Sequence, residues 1–212
     1  MIEFLFGVPF YKSTVNPHRY NKLELIDNIT HNFNLNPKRN EWDKTNTEVH
    51  HSYGDELNVD FKKPNYDSLI PIYKEHVENF LDQYFDVNIE YYFEIANYTC
   101  FGKNQYMAMH NHPRTCFSGI HYIKFNPNEH KSTVYWNPAD WSFHTTSFFP
   151  EPMINAHSDK LMHTWFTQNY RFYIKEDDIV ITPSTLRHSV PISHSDELRV
   201  AVVFHIYIIK QN

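Results

Sequence analysis

The sequence predicts a mainly β protein in which two N-terminal helices precede an antiparallel β-sandwich or barrel. Aromatic residues are 17% of the 212-residue chain, and 15 Tyr and 17 Phe accompany only 4 Gly. Such a composition favours pleated, half-buried surfaces. Helical periodicity is confined to the first part of the chain, and strand-like runs follow from residue 88 onward. The length favours one domain over residues 1–212, with a helical layer and loops in 1–87 and a β core in 88–212.

Two segments of the N-terminal part have the spacing of amphipathic helices. "NKLELIDNITHNF" places Lys22, Ile26, Ile29 and Phe33 at helical spacing, after the start signals of "NPHR". "YDSLIPIYKEHVENFLDQYF" is the clearer pattern, with Pro71 in its first turn. Asp67 or Ser68 is its predicted N-cap, because short polar side chains accept hydrogen bonds from the first backbone N–H groups.

The β core is predicted from seven runs that are bounded by residues typical of turns. They are "IEYYFEIANYT", "NQYMAMH", "FSGIHYIKF", "KSTVYW", "NYRFYI", "DDIVITP" and "ELRVAVVFHIYII". A long irregular segment, residues 137–169, interrupts the series and is expected to be a lid or binding loop. Its aromatic residues either recognise an apolar or ring-bearing substrate or pack the loop onto the core; they are Trp141, Phe143, Phe148, Phe149, Trp165 and Phe166.

Charge and hydropathy exclude several classes of function. A net charge of −6 argues against nucleic-acid binding as the main function. The chain has no apolar run of the roughly 20 residues that a membrane span needs. Cys100 and Cys116 are the only cysteines, and the start of the sequence does not resemble a signal peptide. A reducing, cytoplasmic location is therefore expected.

The first candidate site residues are His110 and His112 in "YMAMHNHPRTCFSGIHYIKF". With 15 histidines in 212 residues, about one pair two positions apart is expected by chance. Any functional role of His110 and His112 must therefore be supported by other segments of the sequence. If they lie on a strand, spacing two directs both imidazoles to one face, where they can reach the same metal ion.

Two later segments supply that context. His188 in "DDIVITPSTLRHSVPIS" follows a predicted strand and can lie at the mouth of a barrel beside the pair. Arg199 begins a strand whose other inward-facing residues are Ala201, Val203, His205 and Tyr207. A guanidinium on an inward face needs an anionic partner. Either a ligand carboxylate, bound bidentately, or an ion pair with Asp196 or Glu197 would satisfy it, unless Arg199 lies at a hydrated strand end.

The remaining histidines are assigned to other roles. His121 is expected to pack in the core, since it alternates with Tyr122 along its strand. Nine more have no partner pattern and are predicted to lie on the surface or in loops; they are His18, His31, His50, His51, His76, His130, His144, His157 and His163.

Taken together, four motifs resemble the Fe(II)/2-oxoglutarate-dependent oxygenase superfamily. In order, they are "HNH" at 110–112, "SGIHYIKF" at 118–125, "TPSTLRHSV" at 182–190 and "LRVAVVF" at 198–204. The resemblance covers about residues 95–207 and is closest to oxygenases of marine phages and bacteria. It implies a double-stranded β-helix, which is a cupin-like jelly roll. It also implies a hydroxylase that uses Fe(II) and O₂. Such an enzyme converts 2-oxoglutarate to succinate by oxidative decarboxylation and couples this step to oxidation of a C–H bond in a substrate, which is unidentified here.

The resemblance assigns roles to individual positions. His110 and His188 match the first and the distal iron ligands. Arg199 matches the residue that pairs with the distal carboxylate of 2-oxoglutarate, and Tyr122 matches an aromatic that hydrogen-bonds the same carboxylate. Tyr98, on the preceding strand, is a further candidate for that pocket.

The chain departs from the superfamily pattern where a carboxylate ligand is usual. His112 stands there, which makes the predicted set three imidazoles rather than two imidazoles and a carboxylate. Asp140 is one loop residue that could supply an acid, and Ala201 stands where many relatives have Ser. Three imidazoles also suit Zn²⁺. The alternatives are therefore a cupin-like three-His metalloprotein that does not use 2-oxoglutarate, and a non-catalytic jelly-roll binding or structural module.

Overall fold

The structure, a computed structural model, describes residues 8–37, 49–52, 59–85, 87–138 and 169–209. These contain two α-helices, α1 (Lys22–Leu35) and α2 (Ile70–Tyr84), and a 3₁₀ turn at Pro17–Arg19. Their strands are β1 (Tyr11–Thr14), β2 (His50–His51), β3 (Tyr91–Phe101), β4 (Met107–His110), β5 (Phe117–Lys124), β6 (Val134–Trp136), β7 (Asn169–Arg171), β8 (Asp178–Pro183), β9 (His188–Val190) and β10 (Arg199–Ile208). The predicted mainly β class with flanking helices is confirmed.

The strands form two antiparallel sheets. The larger has the order β1-β8-β5-β10-β3-β2, and the smaller has the order β4-β9-β6-β7. All seven predicted runs contain a strand, although each strand is shorter than or offset from its run. The sequence patterns did not predict β1 and β9, because strands of three or four residues are too short to show a clear alternation.

The main core lies between the large sheet and the two helices. Strand β10 contributes Val200, Val202 and Phe204 to this core, as its alternation predicted. From the helices, Ile29 of α1 and Tyr73 of α2 are fully buried against it. Since the helices cover one face of the large sheet, the opposite face of β10 is left to line a cavity.

The start of α2 differs from the prediction by one or two residues. Its N-cap is Leu69, which makes no side-chain capping bond, and Pro71 lies in the first turn as expected. Ser68 instead donates a hydrogen bond to Asn21 Oδ1 at 2.5 Å and accepts one from the Asn21 backbone N–H at 3.3 Å. Its hydroxyl is used to join the two helices rather than to cap one.

Most of the predicted lid, including Asp140 and the six aromatic residues from Trp141 to Phe166, lies outside the described residues. So do His144, His157 and His163. Within the part of the chain that the structure describes, neither helix combines the length and apolar character needed to cross a bilayer.

Candidate active site

A cavity of about 560 Å³, open solvent included, lies between the inward faces of the two sheets. Polar or ionisable residues line much of it, and none of the lining residues is an Asp or Glu. They are His51, Asn97, Thr99, His110, His112, Ser118, Thr133, Tyr135, Thr182, His188 and Arg199, with apolar Phe101, Met107, Ile120, Val190, Ala201 and Val203. An anionic ligand would therefore meet no carboxylate from these residues.

Three histidines converge at one end of this cavity. His110 ends β4 and lies directly opposite His188 of β9 in the antiparallel register. His112 lies just beyond β4, where its backbone N–H donates to the Ser184 carbonyl at 2.8 Å. One ring nitrogen from each of the three lies within 4.8 Å of the others. The structure thus brings together the three residues that the sequence proposed as one set.

Hydrogen bonds to the backbone set the tautomer of two of these rings. His110 Nδ1–H donates to the Ala108 carbonyl at 2.8 Å, and His188 Nδ1–H donates to the Leu186 carbonyl at 2.9 Å. A carbonyl only accepts, so each Nδ1 carries the proton and each Nε2 presents a lone pair. This arrangement orients imidazoles for metal ligation.

Burial keeps the three imidazoles neutral near pH 7. It lowers the pKa of His112 to about 3, with further lowering from the neighbouring His188, His110, His205 and His51. Burial also lowers the pKa of His188 to about 4, and that of His110 in the same direction. The set therefore offers neutral nitrogen donors, the form that binds metal ions.

Arg199 lies elsewhere on the cavity wall and is 3% exposed. Its guanidinium carbon is 4.9 Å from the centre of the Phe101 ring and 5.1 Å from that of Tyr122. Nη2–H donates to Thr133 Oγ1 at 3.3 Å, whereas Nε makes no hydrogen bond. No carboxylate of a described residue forms a salt bridge with it, and Asp196 pairs with Lys103 instead. The expected alternatives, an ion pair or a hydrated strand end, are therefore not observed.

Tyr122 lies beneath the arginine rather than on the cavity wall. It is buried, and its hydroxyl donates to Thr133 Oγ1 at 2.9 Å. The same Thr133 oxygen accepts from Arg199. Tyr122 therefore supports the guanidinium through Thr133 and through ring contact, while Thr133 itself lines the cavity.

The expectation that Tyr98 faces the pocket is wrong. Its side chain points to the helical side of the large sheet, where its hydroxyl bonds His50 Nε2 and Asn32 Nδ2, each at 3.0 Å. Its strand neighbours Asn97 and Thr99 line the cavity instead. Successive side chains of a strand alternate between faces, so an error of one position exchanges core for cavity.

Several polar side chains of the cavity were not singled out from the sequence. Asn97 Oδ1, Ser118 Oγ and Tyr135 OH are buried and have no hydrogen-bond partner among the described residues. His205 Nε2, on the face of β10 that the sequence predicted to point inward, is buried without a partner as well. The His205 ring lies 5.0 Å from that of His112. The alternation of β10 predicted the inward position of His205. Asn97, Ser118 and Tyr135 lie on short or bulged strands whose faces cannot be assigned without the sheet register.

Four histidines that were predicted to lie on the surface or in loops are buried, namely His50, His51, His76 and His130. His51 lines the cavity, and the other three hydrogen-bond partners far along the chain. No local sequence pattern reveals such partners. His121 is fully buried beside Tyr73, in the packing position that was expected.

Comparison with known proteins identifies the class that this jelly roll and its histidine site define. The family model described as "Putative 2OG-Fe(II) oxygenase" matches residues 98–205, just over half of the chain. The chain therefore belongs to this family of oxygenases, as the four motifs indicated. Membership implies Fe(II), 2-oxoglutarate and O₂ as metal and cosubstrates. The finer resemblance to marine phage oxygenases stays a prediction.

Solved structures of low sequence identity share the fold. A prolyl-4-hydroxylase from Pseudomonas putida aligns over 96% of this chain and 94% of its own, with 7% identity and a TM-score of 0.53. A viral collagen prolyl hydroxylase from Paramecium bursaria Chlorella virus-1, solved with 2-oxoglutarate, aligns over 95% and 96%, with 12% identity and a TM-score of 0.50. They confirm the jelly-roll class.

Two further comparisons are more limited. An oxidoreductase of the 2OG-Fe(II) oxygenase family from Burkholderia pseudomallei aligns over 66% of this chain and 56% of its own, with 13% identity and a TM-score of 0.46. No curated protein matches the sequence.

Proposed function

We propose that this chain is a 2-oxoglutarate-dependent dioxygenase of the hydroxylase type, in which His110, His112 and His188 hold Fe(II). Arg199 binds the carboxylate of 2-oxoglutarate that lies farther from the metal. The observation that carries the proposal is the convergence of three neutral imidazoles in a cavity that also contains a buried guanidinium, which has no carboxylate partner among the described residues. Family membership supplies the reaction class, and these residues supply the roles.

The donor set fits a divalent first-row metal ion. Imidazole nitrogen is a common ligand of Fe(II). The backbone carbonyls accept hydrogen bonds from Nδ1–H of His110 and His188, so the lone pair of each ring is on Nε2. The three imidazoles would hold the ion by one nitrogen each and would leave room beside it for a chelating cosubstrate. Because His112 contributes no negative charge, the site attracts a dianionic cosubstrate more strongly than one with a carboxylate ligand would.

The surroundings of Arg199 fit an anion. Burial of an unpaired charge is costly, and it lowers the pKa of this guanidinium. A carboxylate can accept two parallel hydrogen bonds from a guanidinium, and Nε–H is one donor that no described residue uses. The rings of Phe101 and Tyr122 hold the group in place, so little side-chain entropy is lost on binding.

When bound, the metal and 2-oxoglutarate supply the oxidising chemistry, in which O₂ is reduced, 2-oxoglutarate yields succinate and CO₂, and a substrate C–H bond is oxidised. The protein holds the cosubstrate at two points, at the histidines and at Arg199. Apolar side chains such as Ile120, Val203 and Met107 line the same cavity and limit the access of water. The substrate remains to be identified, and its expected apolar or aromatic character rests on residues outside the described ranges.

The decisive experiment adds Fe(II) and then 2-oxoglutarate to the purified protein without oxygen and follows the visible metal-to-ligand charge-transfer band. Arg199→Ala should weaken 2-oxoglutarate binding at least thirtyfold, because removing one partner of a buried charge pair typically costs about 2–5 kcal/mol. Its affinity for Fe(II) should change less than about threefold.

The matched variant His188→Ala should lose both affinities. Equal loss of metal and cosubstrate in Arg199→Ala would contradict the assigned roles. A wild-type protein that binds Fe(II) but gives no band would favour a three-His metalloprotein that does not use 2-oxoglutarate. Release of succinate on admission of O₂, with a product heavier by one oxygen atom, would establish hydroxylation.

A cytoplasmic location and the lack of a nucleic-acid partner are also expected. Both follow from composition and charge, and neither depends on the geometry of the site. Cell fractionation and a filter-binding assay with DNA and RNA would test them.

A further inference from the structure

His112 differs from the other two proposed ligands in how its ring is held. The Nδ1–H groups of His110 and His188 each donate to a backbone carbonyl two residues earlier. In the part of the chain that the structure describes, His112 forms hydrogen bonds through its backbone, and its ring forms none. A metal-bound imidazole normally donates its second ring N–H to an acceptor that fixes the ring. His112 therefore needs a partner that the nearby backbone does not provide.

His205 of β10 offers an acceptor at this position. Its side chain is 7% exposed, and its Nε2 is buried without a hydrogen-bond partner among the described residues. Its ring centre lies 5.0 Å from that of His112, with the planes 52° apart. Two imidazoles joined by an N–H···N hydrogen bond have ring centres about 5 Å apart. A small rotation of either ring would therefore complete a bond between them.

The strands on either side of β10 show which other groups could bond this nitrogen. Directly opposite His205 are Glu94 of β3 and Ser118 of β5. The Glu94 carboxylate accepts a hydrogen bond from the Tyr207 hydroxyl at 2.6 Å. The Ser118 hydroxyl is buried and, like His205 Nε2, has no partner among the residues described. Ser118 is therefore the competing partner that an experiment has to distinguish from His112.

A neutral His205 ring can accept this hydrogen bond. Burial lowers the pKa of His205, and the charge of Glu94 opposes that effect to a smaller degree. The ring is therefore neutral near pH 7, with one nitrogen protonated and the other presenting a lone pair. A buried ring nitrogen without a partner is unfavourable, so a bond to His112 would also remove a cost to the fold.

We propose that His205 is a positioning residue of the metal site. Its Nε2 accepts a hydrogen bond from the ring nitrogen of His112 that does not face His110 and His188. The bond fixes the tautomer and orientation of His112 and makes its ligating nitrogen more basic. The inference rests on the metal-binding part of the proposed function, and it gives His205 no contact with the metal or with 2-oxoglutarate.

This role follows from the presence of an imidazole where a carboxylate ligand is usual. A carboxylate ligand has no second ring nitrogen to place, whereas an imidazole at position 112 presents an N–H that must be bonded if it is buried. Strand β10 meets this need from the large sheet, while backbone carbonyls near the small sheet meet it for His110 and His188. The third imidazole is thus oriented by a side chain rather than by its own loop.

The test compares wild type with His205→Leu, His205→Gln and Ser118→Ala. Leucine removes the acceptor and keeps a side chain of similar bulk, and the amide oxygen of glutamine replaces Nε2 as an acceptor. Ser118→Ala removes the competing hydroxyl. Dissociation constants of Fe(II) are determined anaerobically, and thermal unfolding verifies that each protein is folded. Proton NMR of the Co(II)-loaded proteins in water then counts the strongly shifted N–H signals of the ligand imidazoles.

His205→Leu should bind Fe(II) about 10- to 100-fold more weakly, the usual effect of removing the hydrogen-bond partner of a metal ligand. His205→Gln and Ser118→Ala should stay within about threefold of wild type. Wild type, His205→Gln and Ser118→Ala should each show three shifted N–H signals. His205→Leu should show two, because the unbonded N–H of His112 exchanges with water.

The outcomes separate this inference from the proposed function. Wild-type Fe(II) affinity and three signals in His205→Leu, with the charge-transfer band of 2-oxoglutarate intact, would overturn the inference alone. Equal weakening by leucine and glutamine would show that His205 only packs, and equal weakening by Ser118→Ala would assign the partner to the hydroxyl; either result overturns it. The wild-type spectrum is a test that needs no variant, since only two shifted signals there would refute the bond. Failure of wild type to bind Fe(II) would overturn the proposed function, and the inference with it.

Discussion

Of the two glycines in the described part of the chain, Gly119 is the one where an added methyl group should destabilise the fold more. It lies on β5 directly opposite Phe204 of β10, and the Phe204 ring covers it. A Cβ built at Gly119 would lie 1.9 Å from Phe204 Cζ, 2.2 Å from Cε1 and 2.4 Å from Cε2. Carbon atoms in favourable contact are about 3.5–4.0 Å apart. The ring or the strand would therefore have to move by about 1.6–2.1 Å.

The ring has little room for such a movement. Phe204 is fully buried, and it stacks on Tyr73 of α2 with ring centres 4.5 Å apart and planes 23° apart. Overpacking of a dense core typically costs about 1–3 kcal/mol, or more. Alanine also restricts the backbone of the unfolded chain, which stabilises the folded state by about 0.4–1 kcal/mol. We expect Gly119→Ala to lower the free energy of unfolding by about 2 kcal/mol, and the melting temperature by about 4–8 °C.

Urea denaturation of five proteins tests this reasoning: wild type, Gly119→Ala, Gly102→Ala, Phe204→Leu and the double variant Gly119→Ala/Phe204→Leu. Gly102→Ala is the matched control: its added Cβ would meet Phe33 Cζ at 2.9 Å, and only slight movement of that ring would relieve the contact. It should cost less than about 1 kcal/mol. In the double variant Gly119→Ala/Phe204→Leu the smaller side chain makes room, so the coupling energy should be favourable by at least about 1 kcal/mol. Additive effects, or equal effects of the two alanine substitutions, would refute the steric explanation.

Two further predictions concern histidines. Burial lowers the pKa of His121 to about 3 in the folded protein, whereas the pKa of a histidine in the unfolded chain is about 6.5. The neutral, buried His121 therefore stabilises the fold fully above pH 6.5, and this stabilisation is lost as the pH falls toward 3. Wild type should therefore lose about 3 kcal/mol more than His121→Asn between pH 7 and pH 4 in urea denaturation, and parallel pH profiles of the two proteins would contradict this. His112→Asp restores a carboxylate ligand. Its negative charge repels an anion at roughly 5 Å by an energy of the order of 3 kcal/mol, if the effective dielectric constant is about 20. Titration should show tighter Fe(II) binding and at least tenfold weaker 2-oxoglutarate binding, and unchanged cosubstrate affinity would show that the charge of the site does not govern it.

Much of the architecture could be predicted from local pattern. Helix α2 has an apolar stripe of several turns, and β10 alternates cleanly over ten residues, so the face that carries Arg199 was assigned correctly. The order of the motifs indicated the oxygenase family, and His110, His112 and His188 were proposed as one set before their convergence was observed. Regular periodicity over enough residues specifies which side chains share a face.

The remainder of the site depends on how separate strands pair. Tyr98 and Tyr135 illustrate this: the first was assigned to the pocket and faces the helices, and the second was not singled out and lines the cavity. A bulge shifts the register of β3 against β10 at Val203/Phe204, and β6 has only three residues. A strand that is bulged or very short does not show in its own sequence which face will be buried, because a shift of one residue exchanges the two faces.

The sequence by itself determined the mainly β class, the family and the residue types available for chemistry, since these follow from periodicity and from motifs whose members lie close together in the chain. Only the tertiary structure decided which polar groups face one another across the cavity. Arg199 and Tyr135 belong to different sheets and are 64 residues apart in the chain. Their meeting results from the packing of two sheets, an interaction between distant segments that no local pattern encodes.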